Sequence, residues 1–418
     1  MSLVKIISWI TATISSLIML QTLYFKFTAA NESVYIFTQL GLEPFGRIGI
    51  GVAELVASIL LIIPRSRFLG ALISVGLMIG AVIGHLTKLG IEVMNDGGYL
   101  FALCLIVLTS TIICLYLERK QLISFLSVFA QLDKNTIRLL RIPFSFFLMP
   151  IFILALSQSN DFKLLDVIIT FLIIHLLVYP ASNGYNSYID KDESPIGGLE
   201  KPPMPTKALF HLTLVMDVFA ISLSFILISK LFSVCILAYI LASRAYSSKQ
   251  IRLKKYPFIG FFVVVVFQGA FTYLMCSIGI TNAQLEFTNA NVYIMLACSL
   301  QIAGAYPLTQ IYQHKEDYAD GVVTLSYKLG YKGTFMFTAL IFGICNLFYF
   351  LYFNSVGKVH YFYILQLFFI PILVFFSFWF LKVTKDNSEA DFKNTMRMNA
   401  IAAICMNSCF IILFILNH

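Results

Sequence analysis

Two short segments place oxygen donors at helical spacing in a chain where only 12% of residues are charged. One reads Asn186-Ser-Tyr-Ile-Asp190, the other Gln313-His-Lys-Glu316-Asp317. Residues at i and i+4 point the same way at a helix end, so each pair forms one face, and Glu316 shares the second. The first pair opens a stretch that also carries Asp192, Glu193, Glu200, Lys191 and Lys201. Oxygen ligands from two helix ends, set across a cavity, suit a hard divalent cation. Mg2+ in particular keeps several waters and binds through one or two carboxylates plus substrate phosphates. Its natural co-ligand would be a diphosphate, and Lys201, Arg252 and Lys254 are the bases placed to neutralise it. Pro202 and Pro203 stiffen the loop behind Lys201. A plain solvated loop face is the competing reading. Two separate loops with matching pairs on one expected side weigh against it.

The elements that must position these residues are membrane helices. The chain has 418 residues, is 59% hydrophobic and has a mean hydropathy of +0.86, which excludes an ordinary soluble domain. Apolar stretches of about 20 residues fall near 4–25, 46–63, 67–87, 98–117, 142–159, 164–182, 208–229, 231–247, 257–280, 291–311, 334–353, 361–382 and 396–416. An all-α polytopic membrane protein with 13 spans is expected. With the N-terminus inside and the C-terminus outside, only Lys26, Arg47, Lys88, Lys163, Lys230 and Lys358 of the 29 Lys and Arg fall on the outer side. Both acid-bearing loops and the basic loop around Arg252 then share the inner side. The net charge of +8 follows from this bias and calls for no nucleic-acid partner. The first segment shows no small-residue cleavage site, so no cleavable leader is expected. The eight cysteines all lie in expected spans without a CxxC pair, and read as small buried apolar residues.

Four spans precede the basic, amphipathic stretch Leu117 to Pro143 and nine follow it, which places a boundary near residue 130: units 1–130 and 131–418. Part of that stretch is expected at the membrane surface. The first unit holds Lys26, Arg47, Glu54, His85 and Lys88 at or near membrane depth, where ionisable groups pair and face a bundle interior. They read either as a proton, redox or quinone site or as a structural Lys–Glu–Arg cluster. Asp217 is a further acid within a span, read as acceptor-binding, as paired with a base, or equally as a helix-packing hydrogen-bond partner. His175 and His211 read as interface histidines.

Residues 1–120 resemble the DoxX-like family of four-helix membrane proteins through "LYFKF", "GRIGIGVAELVASILLIIP" and "HLTKLG" followed by "MNDGG". That resemblance implies a four-helix bundle and a redox association. Residues 135–418 resemble the UbiA superfamily of intramembrane prenyltransferases. The family's N-x-x-x-D-x-x-x-D motif is matched by Asn186 and Asp190, and its D-x-x-x-D motif by Gln313 and Asp317. "GVVTLSYKLG" resembles the tail of the second motif, "RLLRIPFSFFLMP" the first span and "YSSKQIRLK" the third conserved loop. Two positions depart: Ser194 stands where the first motif has its third acid, and Gln313 where the second has its first.

The resemblance implies a four-helix bundle followed by a nine-helix UbiA-like bundle in a bacterial inner (cytoplasmic) membrane. It implies Mg2+-dependent transfer of a prenyl group from an isoprenyl diphosphate to an aromatic or quinone-type lipid acceptor. On that reading Asn186, Asp190, Gln313 and Asp317 hold the metal–diphosphate, with Asp192, Glu193 and Glu316 as further metal ligands. Arg141, Lys201, Arg252 and Lys254 contact the diphosphate, and Tyr246 lies near the reacting carbon. His314, inside the second motif, is a candidate proton acceptor. Two alternatives stay open: a repurposed bundle that binds or transports lipid, and a redox module in which the first unit handles a quinone.

Overall fold

The computed structural model describes residues 3–129, 132–282, 288–319 and 321–418. It divides into two compact units, Met1–Ala130 and Gln131–His418; the junction itself, Ala130 and Gln131, lies outside the described residues. Among the described residues the regular structure is helical apart from one isolated antiparallel bridge, Ile196 to Leu199. Twelve helices are long and apolar enough to cross a membrane, and a bent pair, counted as one, makes the thirteenth.

In the first unit α1 (Leu3–Phe27), α3 (Phe45–Ile62), α4 (Arg67–Gly84) and α5 (Tyr99–Leu117) pack as a four-helix bundle. A short helix, α2 (Asn31–Gln39), joins the first two, and α4 runs into a π-turn, His85–Leu89. The inner faces are built from small residues: Ala12, Ser15, Ala57, Ser58, Ala71 and Ser74 are all buried. Lipid offers no hydrophobic drive between helices, so small side chains that admit close packing take over. The expected charge cluster is only partly formed. Lys26 pairs with Glu54 at 2.6 Å, while Arg47 is drawn off to Glu43 at 2.9 Å and to the carbonyl of Lys26. Beyond α5 the basic stretch folds as α6 (Arg119–Phe129).

The second unit opens with α7 (Lys134–Leu139), capped by Asp133, whose carboxylate accepts from the Thr136 amide at 2.7 Å. A 3₁₀ turn, Ile142–Phe147, and α8 (Met149–Ser157) follow, bent by 43°. The expected span 142–159 is therefore a broken one. Arg141 in the left-handed region (φ 49°), Pro143 and Pro150 account for the bend. The remaining spans are α9 (Leu164–Leu172) continuing through a π-turn into α10 (Tyr179–Asp190), α11 (Lys207–Leu227), α12 (Lys230–Ser247), and α13 (Pro257–Val265) continuing through a second π-turn into α14 (Phe271–Thr281). After them come α15 (Asn289–Gln310), the short α16 (His314–Ala319), α17 (Leu325–Ser355), α18 (Val359–Lys385) and α19 (Phe392–Asn417). The core is aromatic, with Trp379, Tyr349, Phe232, Phe335, Phe353 and Phe410 fully buried. At Gly269 the second π-turn lies so close to α15 that a Cβ would stand 2.4 Å from the Ser299 Cα.

Candidate active site

The first motif ends a helix and the second interrupts one. On α10, Asn183, Asn186, Ser187 and Asp190 recur at helical spacing, and the helix stops at Asp190 because Lys191 turns left-handed (φ 56°). The second motif is not one α-helical face as its spacing suggested. Gln313 closes a 3₁₀ turn, Ile311–Gln313, and Asp317 sits on α16 after the break. Gln313 is anchored instead to the acid-bearing loop, its Nε2 donating to the Pro195 carbonyl at 2.9 Å. That bond ties the two motif segments together.

Basic and phenolic groups close the site. Asn186 Oδ1 accepts from Ser247 Oγ at 2.7 Å, and Asp190 Oδ2 is ion-paired with Lys254. Lys254 comes from a 3₁₀ turn, Leu253–Lys255, entered through Arg252 in the left-handed region (φ 45°). Tyr246, near the end of α12, shares a hydrogen bond with Tyr306 of α15, which also accepts from Gln310 Nε2 at 3.0 Å. Tyr246 lies in the electrostatic field of both Asp317 and Asp190. Arg141 donates to the carbonyls of Gly197 at 3.2 Å and Asn183 at 3.3 Å, and interacts with Tyr312, Asp192 and Asp190. Asn186, Asp190, Asp192, Asp317, Tyr246, Arg141 and Lys254 are thus linked in one cluster.

Other expected residues stand apart. Glu193, Lys201 and Glu316 are exposed, and among the described residues no hydrogen bond or ion pair holds them to the cluster. His314 turns away from it: Nε2 meets Ser326 Oγ at 2.8 Å and the ring stacks on Tyr331. Burial pushes its pKa down to about 4. Asp217 pairs with Arg244, whose guanidinium also lies 4.0 Å from the Tyr185 ring. His175 is enclosed by Phe152, Phe171 and Tyr179. Residues that sequence reasoning passed over include Asn183, Ser187, Tyr306 and Gln310. The signal was present in their spacing: Asn183, Ser187 and Gln310 lie one helical turn before Asn186, Asp190 and Gln313, and Tyr306 one turn before Gln310.

Several buried polar atoms of the cluster have no hydrogen-bond partner: Asp190 Oδ1, Asn183 Nδ2, Ser187 Oγ, Arg141 Nε, Arg252 Nε and Gln310 Oε1. Unsatisfied buried polar groups are rare in folded proteins and cost about 1–3 kcal/mol each. Three of them lie on α10 and the others on Arg141, Arg252 and the end of α15, so the segments around the first motif present polar groups suited to a polar ligand. Beside these segments lies a cavity of about 220 Å³, walled by Phe144, Phe147, Tyr306 and Phe342 among others. Arg141 and Tyr306 therefore stand where the polar cluster meets an apolar chamber.

A helical membrane bundle with a polar, ligand-hungry cluster opening onto an aromatic chamber defines an intramembrane protein that handles amphipathic molecules. The profile of the UbiA prenyltransferase family matches residues 146–401, and the chain belongs to that family. Residues 10–109 match the DoxX-like family. No curated protein matches the chain by sequence. Two solved structures of a UbiA homologue from Archaeoglobus fulgidus, one bound to DMAPP and Mg2+ and one to GPP and Mg2+, share the fold. Each is 13% identical with a TM-score of 0.50, over 67% of this chain and 99% of the other. A structure of digeranylgeranylglyceryl phosphate synthase matches with 16% identity and a TM-score of 0.45, over 68% of this chain and 97% of the other.

The donor set fits Mg2+ in the manner that leans on substrate phosphates. Among the described residues no group of three or more His, Cys, Asp or Glu is arranged to hold a metal. Asp190 nevertheless presents an unpartnered buried carboxylate oxygen, which is what a hard cation requires.

Proposed function

We propose that residues 131–418 transfer a prenyl group from an isoprenyl diphosphate to a lipophilic acceptor inside the membrane, with Mg2+ as cofactor. The observation that carries this reading is the set of unpartnered polar atoms on the first-motif helix, Arg141, Arg252 and Gln310, beside a cavity walled in part by aromatic rings. The binding of DMAPP, GPP and Mg2+ by the Archaeoglobus homologue supports it.

In this reading Asp190, Asn186 and Asp317 hold the cation, with Asp192 beside them. Bound Mg2+ would supply Lewis-acid neutralisation of the diphosphate. Lys254 exchanges its partner, leaving Asp190 for a phosphate oxygen, while Arg141 and Arg252 offer their unpartnered Nε–H groups to the others. The allylic C–O bond breaks, and the diphosphate leaves with its electron pair. The carbon cation sits against the faces of Tyr246, Tyr306 and Phe144. The acceptor forms the new bond to that carbon and releases a proton. Water would quench such a cation, and the apolar chamber excludes it. Aromatic and quinone-type acceptors fit the chamber's ring-lined wall.

The test uses the full chain in lipid nanodiscs with Mg2+, labelled farnesyl or geranylgeranyl diphosphate and a membrane-lipid extract. Mg2+-dependent diphosphate release that disappears in Asp190→Ala and Asp317→Ala is the expected result. Absence of both release and Mg2+-dependent diphosphate binding would overturn the reading in favour of a lipid-binding or transport protein.

A further inference from the structure

The first unit carries a half-open cavity of about 570 Å³ within its own bundle, within the size range of small-molecule sites. About half of its wall is Leu, Ile, Met, Val and Phe; its polar residues are Gln21, Thr22, Lys26, Glu32, Ser33, Glu54, His85, Thr87 and Lys88. The polar groups are only partly spent on one another. Glu54 Oε2 receives both Lys26 Nζ, at 2.6 Å, and Thr22 Oγ1, at 3.0 Å. Among the described residues no hydrogen bond reaches Oε1. His85 Nδ1 lies 2.8 Å from the Gly90 carbonyl. A carbonyl only accepts, so Nδ1 carries a proton, and in the neutral tautomer this leaves the lone pair on Nε2. No hydrogen bond among the described residues reaches Nε2 either. Beside its apolar surface the cavity therefore presents a Glu54 carboxylate oxygen and the His85 Nε2 as acceptors. In a membrane interior such acceptors call for a donor.

We infer that this cavity is a binding site for a lipophilic molecule with a hydroxyl head, an aliphatic lipid alcohol or a phenol. The hydroxyl donates to Glu54 or His85, accepts from the Lys26 ammonium, and the apolar body fills the chamber. An ether or a hydrocarbon of the same shape lacks the donor and is bound more weakly. The site is separate from the diphosphate cluster, because every residue of its wall lies in the first unit.

Equilibrium binding of tritiated farnesol and of tritiated 4-hexylphenol to the full-length protein in nanodiscs tests the inference. One saturable site per chain is expected for at least one of them. Preference for farnesol identifies a lipid alcohol, and preference for the phenol an aromatic one. Farnesyl methyl ether should compete at least tenfold less well than farnesol. Ala81→Phe, which narrows the cavity without touching its polar groups, and Glu54→Gln should each weaken binding tenfold or more while the melting temperature stays within a few degrees. Asp190→Ala should leave it intact. Absence of saturable binding by both probes, equal competition by the methyl ether, indifference to Ala81→Phe, or loss of binding in Asp190→Ala would overturn the inference.

Discussion

In the proposed site Asp190 is the residue with the most direct test. One of its oxygens is held by Lys254 and the other has no partner, so the carboxylate is already half committed before any ligand arrives. Replacing it by Asn keeps the shape and removes the charge. The expected outcome is a fall in kcat/KM for the allylic diphosphate of about 100-fold or more, as for loss of one preorganised electrostatic contact, measured by diphosphate release. Lys254→Met should raise KM for the diphosphate roughly tenfold, since a charged hydrogen bond to phosphate is lost. His314 makes a prediction in pH. Its folded pKa, about 4, lies below the ordinary histidine value, so the unfolded chain binds the extra proton first. Stability is then fully present above about pH 6.5 and declines as pH falls toward 4. A thermal-melting series should show that decline, and His314→Gln, which keeps a partner for Ser326, should flatten it.

At the scale of elements, the site depends on helices that break where they must. Asp190 faces its partners because α10 ends on it, and Lys254 reaches back because the chain turns left-handed at Arg252. Tyr306 is placed by the contact of α15 with the second π-turn. That contact tolerates no Cβ at Gly269, where one would collide with the backbone of Ser299. Gly269→Val should push the two helices apart, with a destabilisation of about 1–3 kcal/mol read as a lowered melting temperature. The same shift should loosen the Tyr246–Tyr306 pair and reduce prenyl transfer.

At the scale of the whole molecule, the proposed arrangement has both motif loops on the inner side of the membrane. Seven of the eight native cysteines are buried and Cys405 is partly so, so single introduced cysteines can be labelled against a quiet background. Lys201→Cys and Glu316→Cys, both at exposed positions, should react with a membrane-impermeant maleimide from the same side. Asp161→Cys, in the exposed turn between α8 and α9, should react only from the other. Labelling of Lys201→Cys and Asp161→Cys from one side would break the N-in, C-out topology.

The sequence by itself determined the helical membrane class, the span positions and the motif pair. Hydropathy over about 20 residues and i, i+4 spacing are local properties, and they survive without knowledge of neighbours. It also named Asp190, Asp317, Arg141, Tyr246 and Lys254, which the fold links in one cluster. Local spacing could not tell that Gln313 would bond to Pro195, that a break would separate it from Asp317, or that Lys201, Glu193 and Glu316 would stay exposed. Nor could it show that Arg47 would leave Glu54 to Lys26 on the wall of a cavity in the first unit. Those outcomes depend on which residues from distant helices compete for the same partner. That competition exists only once the bundle has closed, and the tertiary structure alone decides it.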